Sequence, residues 1–194
     1  MGETVKITIV GCGALGSHLV PLLRNEDVEI NVVDFDRIET KNVSSQFHGR
    51  NHVGKLKTIS LQQVMDFMFK RKITTNTNKL TKDNDITILK GSGLLIDCLD
   101  NAEARTLVQN YARASNTACL HGALAADGAF GRVIWDKDFK IDSEGSAGAP
   151  TCEDGNHLAF ISLVASYMAR SVHVFLEADK MVGFSISPMG AVVV

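Results

Sequence analysis

The chain has 194 residues, 45% hydrophobic and 22% charged, with a formal net charge of −2. That size and balance suit one globular domain over residues 1–194, and the near-neutral charge gives a nucleic-acid or membrane-surface partner no electrostatic support. Met1 to Thr4 run straight into a strand-like segment without a basic, apolar, cleavable leader, so the expected location is cytoplasmic.

Lys6 to Val10 (KITIV) is a short β-rich run ending at Gly11, followed by a helix-compatible segment from Ala14 to Asn25 and a second apolar run, EINVVDFD. Strand, glycine turn, helix, strand is the βαβ unit of a doubly wound sheet. Asn42 to His52 read as a polar loop. From Gly54 to Lys70, Leu56, Ile59, Leu61, Val64, Met65, Phe67 and Met68 recur at helical spacing and predict one broad apolar face. KITTNTN reads as a strand, and a hydrophilic link leads to GLLIDCLDN, a buried strand ending in acids. A helix over 102–116 follows, then TACLHG and GRVIW as short strands. Residues 136–156 form the longest loop, and a loop of that length in a compact domain is often functional. An apolar helix over about 156–177 and a strand-like GFSISP close the chain. Its longest apolar run, Leu158 to Ala169, is shorter than the ~20 residues of a bilayer span and reads as a buried helix. Cys12, Cys98, Cys119 and Cys152 form no C-x-x-C pair, so neither structural zinc nor a disulfide framework is expected.

Gly11, Gly13 and Gly16 match G-x-G-x-x-G between a strand and a helix, where absent side chains let backbone N–H groups approach phosphate at the positive helix end. Asp34 ends the second strand, where a carboxylate accepts hydrogen bonds from a ribose. This pairing suits the ribose of NAD and that of ATP equally. Lys57 falls inside the apolar arc of its helix, beside Val64 and Met68, so its ammonium needs a partner or a route to water. Asp97 and Asp100 suit either helix capping or function. No spacing of His18, His121 and His157 makes a metal site.

Past Asp34 the residues become more specific. DFDRIETKNVSSQF resembles the D-x-D-x-V-E-x-x-N-L-x-R-Q segment of the ThiF/MoeB superfamily. VGKLKT, LLIDCLDNAEAR, HGALAADGAFGRVIW and TCEDG resemble further segments of that family, in order. The resemblance runs from about residue 7 to 174. It implies a Rossmann-like, mainly parallel sheet with helices on both faces and antiparallel strands near the C-terminus. It also implies an ATP- and Mg²⁺-dependent adenylyltransferase, homodimeric or heterodimeric, that activates the terminal glycine carboxylate of a small ubiquitin-like or peptide carrier. Carried across, Gly11, Gly13 and Gly16 meet the phosphates and Asp34 and Asp36 the ribose. Asn42 and Gln46 lie beside the nucleotide, Lys57 contacts phosphate and Asp100 binds the metal. Cys152, in the long loop just before a helix, is a candidate for thioester chemistry alongside its reading as an idle thiol.

The chain departs from the family pattern at Ser45, where an arginine is usual; Arg50, five residues on, is the candidate substitute and Arg37 a weaker one. The N-terminal segment that supplies a further arginine in many members is short here, which calls for another subunit to provide it. An NAD-dependent oxidoreductase, resting on the glycine turn and Asp34 alone, and a nucleotide-binding or scaffold subunit that has lost catalysis, suggested by Ser45, are the alternatives.

Overall fold

The computed structural model describes residues 4–125, 127–141 and 155–194. Its frame is one eight-stranded sheet, in the order β3-β2-β1-β4-β5-β6-β7-β8. The strands are β1 (Val5–Val10), β2 (Val28–Val33), β3 (Thr74–Asn76), β4 (Leu94–Asp97), β5 (Ala118–Leu124), β6 (Gly131–Trp135), β7 (Phe184–Ser187) and β8 (Gly190–Val193). β1 to β5 pair parallel, whereas β6, β7 and β8 join antiparallel. The expected architecture is therefore the observed one.

The parallel strands read as continuous Val, Ile and Leu runs because both faces are covered. One face buries Ile7, Ile9, Val32 and Ile96 against α1 (Ala14–Leu22), α2 (Lys57–Phe69) and α5 (Leu158–Ala178). The other packs Val10, Val33 and Leu95 against α3 (Asp85–Leu89) and α4 (Ala102–Ser115). Each fully buried Leu, Ile or Val contributes roughly 1.5–3 kcal/mol of transfer free energy. In α4 the Asn101 side chain accepts from the Ala104 N–H at 2.9 Å, capping the helix and leaving Asp100 free of that task.

Several elements differ from expectation. α1 ends at Leu22 with Pro21 in its last turn. The apolar face of α2 is narrower than its periodicity predicts, for Phe67 is 80% and Met68 57% exposed while Leu61 and Met65 are buried. The hydrophilic link contains α3, the polar loop contains 3₁₀ turns at Thr40–Ser44 and Arg50–His52, and β8 extends the sheet past GFSISP. α5 is long and apolar enough to cross a membrane by length and composition. Its Phe160, Ile161, Val164, Met168 and Val172 are buried in the core, as in the sequence reading.

Candidate nucleotide site

Strand order reverses between β1 and β4, and the crevice outside their carboxyl ends is where a doubly wound sheet receives a ligand. The glycine turn forms one wall. Gly11 has φ +100°, and a Cβ there would stand 2.8 Å from the Cys98 carbonyl oxygen; a Cβ at Gly16 would stand 1.9 Å from the Gly11 carbonyl oxygen. These two glycines let strand, turn and helix touch. Gly13 is different, since a Cβ there would meet only Gln46 Nε2, at 3.9 Å. It is the N-cap residue of α1, which has no side-chain cap and no acid in its first turn. The positive end of α1 is thus left uncompensated, the condition under which a helix receives an anion.

Asp34 organises the floor. Its Oδ2 accepts from the Cys12 N–H at 2.6 Å and its Oδ1 from the Asp36 N–H at 2.7 Å. Burial pushes this carboxyl above its ordinary value, against the pull of those two N–H groups and of Lys57. Lys57, only 7% exposed, donates from Nζ to Asp36 Oδ2 at 3.1 Å. Burial works against the ammonium, but the Asp34 and Asp36 carboxylates outweigh it and hold the amine above the usual lysine value. The partner that Lys57 needs is therefore an acid of the second strand's end.

The other wall is the segment from Asn42 to His48. Asn42 is buried, and its Oδ1 accepts from the Glu39 N–H at 2.9 Å. Gln46 is buried beside Gly13, with Oε1 lacking any hydrogen-bond partner. Ser45 is fully buried, and its carbonyl lies 3.1 Å from His18 Nε2. Ser17 Oγ accepts from the Phe47 N–H at 2.9 Å, tying α1 to the same segment. His48, which sequence reasoning passed over, lies with Nε2 3.1 Å from the Cys12 carbonyl and Nδ1 unpaired. Burial pushes its imidazole down to about 4, so at neutral pH it is uncharged and donates through Nε2. The Thr58 hydroxyl, next to Lys57, is a third buried group without a partner. No periodicity marks His48 or Thr58; only their nearness to Gln46 and Lys57 in the chain hinted at them.

At the end of β4, Asp97 is fully buried and faces His121 Nδ1 at 2.7 Å and Arg105 Nη1 at 3.5 Å. His121 is thus a buried histidine with both ring nitrogens satisfied. Asp100 lies three residues on and is exposed. Cys12 and Cys119 are buried and Cys98 packs against the core, burial pushing all three thiols up. The glycines, Asp34, Asp36, Gln46, Lys57 and the β4 loop before Asp100 are thus linked by contacts around the glycine turn, while Asn42 bonds within its own segment. Arg50 stands on its own exposed 3₁₀ turn, and Arg37 Nη1 is taken up by the Gly54 carbonyl at 2.8 Å. Cys152 lies outside the described residues.

The phosphates of a nucleotide suit this donor set. The uncapped helix end takes phosphate, and the unpaired Gln46 Oε1 asks for a hydroxyl or N–H donor. Asp100 would offer one exposed carboxylate, and Mg²⁺ bound to a nucleotide takes one or two carboxylates with phosphates completing its shell. No cluster of three or more metal-binding side chains occurs among the described residues.

A model of the ThiF family matches residues 3–185. The adenylyltransferase and sulfurtransferase UBA4 of Saccharomyces cerevisiae is 33% identical over 113 residues, covering 57% of this chain and 26% of its own length. Its namesake in Lodderomyces elongisporus is 29% identical over 175 residues, covering 84% and 38%. The chain thus spans well under two thirds of these relatives. Among solved structures, E. coli MccB with ATP matches with a TM-score of 0.78 at 17% identity, covering 98% of this chain and 62% of that one. PaaA matches at 0.74 with 14% identity, covering 98% and 63%. MccB has also been solved with MccA. At these identities the structural likeness establishes the fold.

Proposed function

The chain belongs to the ThiF family, and from that premise we propose that it binds ATP and transfers the adenylyl group to the terminal carboxylate of a peptide or small ubiquitin-like carrier. The observation that carries the reading is the buried Gln46 amide, its Oε1 unpaired, beside Gly13 at the uncapped start of α1. UBA4 is an adenylyltransferase and MccB has been solved with ATP, which supports the same choice of nucleotide.

In this reaction a carboxylate oxygen bonds to the α-phosphorus as the bond to the pyrophosphate oxygen breaks. No proton moves, so the chain's task is to align the reactants and stabilise charge. The α1 N–H groups and Gly13 receive the phosphates, and Asp34 receives the ribose. Lys57 stays protonated beside Asp34 and Asp36 and gives its ammonium to the phosphates. Asn42 and Gln46 enclose the nucleotide from the opposite wall, and Cys152 is the candidate for a later thioester. A divalent cation, when bound, offsets phosphate charge, and Asp100 is the residue that would hold it. A second subunit, alike or different, adds the positive charge that Ser45 does not supply, with Arg50 as the local substitute.

Carrier-dependent exchange between ATP and pyrophosphate tests the reading. It is expected with wild-type protein and lost in Asp100→Ala; full exchange in that variant removes Asp100 from its role. One observation favours a second reading. Ser45 stands where the family pattern carries an arginine and brings no charge to a phosphate, as in a subunit that binds nucleotide without turning it over. ATP binding without exchange, with carrier and partner subunit both present, selects that reading.

A further inference from the structure

The backbone leading to Asp100 is gripped on both sides of one residue. The Leu99 N–H donates to Asp97 Oδ1 at 2.9 Å, and the Leu99 carbonyl accepts from Arg105 Nε at 2.8 Å and from Arg105 Nη2 as well. The same Nη2 donates to the Gly122 carbonyl of β5 at 2.7 Å. The grip continues inward. Asp97 Oδ2 meets His121 Nδ1 at 2.7 Å, and His121 Nε2 meets Asp136 Oδ1 at 3.2 Å. Arg113 Nε and Gln109 Nε2 close the far end by donating to Asp136 at 2.8 and 2.7 Å. Phe139 stacks on the His121 ring at 3.9 Å and lies 5.5 Å from the Arg105 guanidinium.

A polar ladder with Asp97 and His121 fully buried is a poor device for stability alone, since desolvating buried polar and charged groups offsets much of the attraction between them. What this ladder does is fix a peptide. Its inner end holds both polar groups of Leu99, the residue directly before Asp100, while Asn101 on the other side is fixed by its bond to the Ala104 N–H. The Asp100 side chain between them is exposed and takes part in none of these bonds. We infer that Arg105 and His121 are positioning residues. Through the Leu99 peptide they hold the Asp100 carboxylate ready, at the β1/β4 crevice, for the divalent cation that accompanies the nucleotide. The inference rests on the ATP and Mg²⁺ reading above.

The test is the ratio of ATP dissociation constants measured in EDTA and in Mg²⁺, which isolates the metal's contribution without requiring turnover. Wild-type protein is expected to bind ATP more tightly with Mg²⁺, and Asp100→Asn to lose that gain. Arg105→Gln and His121→Asn are expected to reduce the ratio about 10-fold, the usual effect of removing a group that orients a metal ligand, with affinity in EDTA unchanged. Arg105→Lys should not restore it, because a single ammonium cannot stand in for three nitrogens at once, with Nε and Nη2 on the Leu99 carbonyl and Nη1 facing Asp97. Asp136→Asn, at the outer end of the ladder, is expected to fold normally and to reduce the ratio about threefold. A wild-type ratio in folded Arg105→Gln and His121→Asn, or in Asp136→Asn should those two fail to fold, overturns the inference while leaving the ATP reading intact. A wild-type protein indifferent to Mg²⁺ overturns the premise, and the inference with it.

Discussion

At the scale of single residues, His48 on the wall of the crevice and Lys57 on its floor make opposite electrostatic demands. The His48 imidazole is enclosed, bonded to the Cys12 carbonyl and held down to about 4, against about 6.5 in an unfolded chain. Between those values the unfolded state binds the extra proton, so the contribution of His48 to stability is complete above pH 6.5 and is lost as pH falls towards 4. Urea unfolding at pH 7.5 and 5.5 should show a loss on the order of 1 kcal/mol attributable to this ring, and His48→Gln should flatten that part of the profile. Lys57 is the reverse case, a buried cation kept charged by two acids. Lys57→Met should weaken ATP binding at least about tenfold, or about 1.4 kcal/mol, as read by calorimetry; unchanged affinity would detach Lys57 from the phosphates. The burial of Lys57 agrees with the sequence expectation, but the neighbours that suggested it do not form the buried face, since Met68 is 57% exposed. Its bond to Asp36 was not legible, because the turn after β2 that brings the two together has no periodic signal.

Among the elements, α1 and α4 show how differently two helix starts are used. The start of α4 is closed by Asn101, and Asn101→Ala should cost about 1 kcal/mol while Asn101→Asp keeps the cap, a difference that thermal melts of the variants would resolve. The start of α1 is open, and Gly16 lets the helix lie against the turn. Gly16→Ala, with its methyl 1.9 Å from the Gly11 carbonyl, should destabilise by roughly 1–3 kcal/mol or more and abolish ATP binding by moving the turn. A variant that melts normally and binds ATP would show that helix and turn need no such contact. Elements with a strong period or a run of β-branched residues, such as β1, β2, β4 and α4, were legible in the sequence. β8 was not, because AVVV follows a turn at Pro188 and Met189 that reads as an ending. α3 was hidden in a polar stretch, and Phe67 and Met68 were misplaced because a helical wheel shows which residues share a face but not how wide the covering layer is. The His121 ladder was equally hidden, since Asp97, His121 and Asp136 meet only through the β4–β5 register and the β5–β6 pairing.

For the whole molecule, the crevice is built on the middle of the sheet, so occupancy and global stability are linked. ATP at 100 times its dissociation constant should add about 2.7 kcal/mol. That would raise the melting temperature by roughly 5–10 °C for a chain of this size, in one transition if residues 1–194 unfold as a unit. Two transitions, only one of them sensitive to ATP, would divide the chain. The sheet order was foreseeable in kind, because a βαβ start with buried strands admits few topologies, whereas the antiparallel end rested on the family resemblance. That order also bears on how the molecule is made. β1 has β2 on one side and β4 on the other, yet β4 is about 90 residues further along the chain, some 5–20 s of synthesis at ordinary ribosomal rates. For that interval VKITIV, with Lys6 as its single charge, has one flank open to any strand it meets. The strand that carries the glycine turn therefore waits through most of that interval with one edge unpaired, the kind of edge that invites wrong pairing.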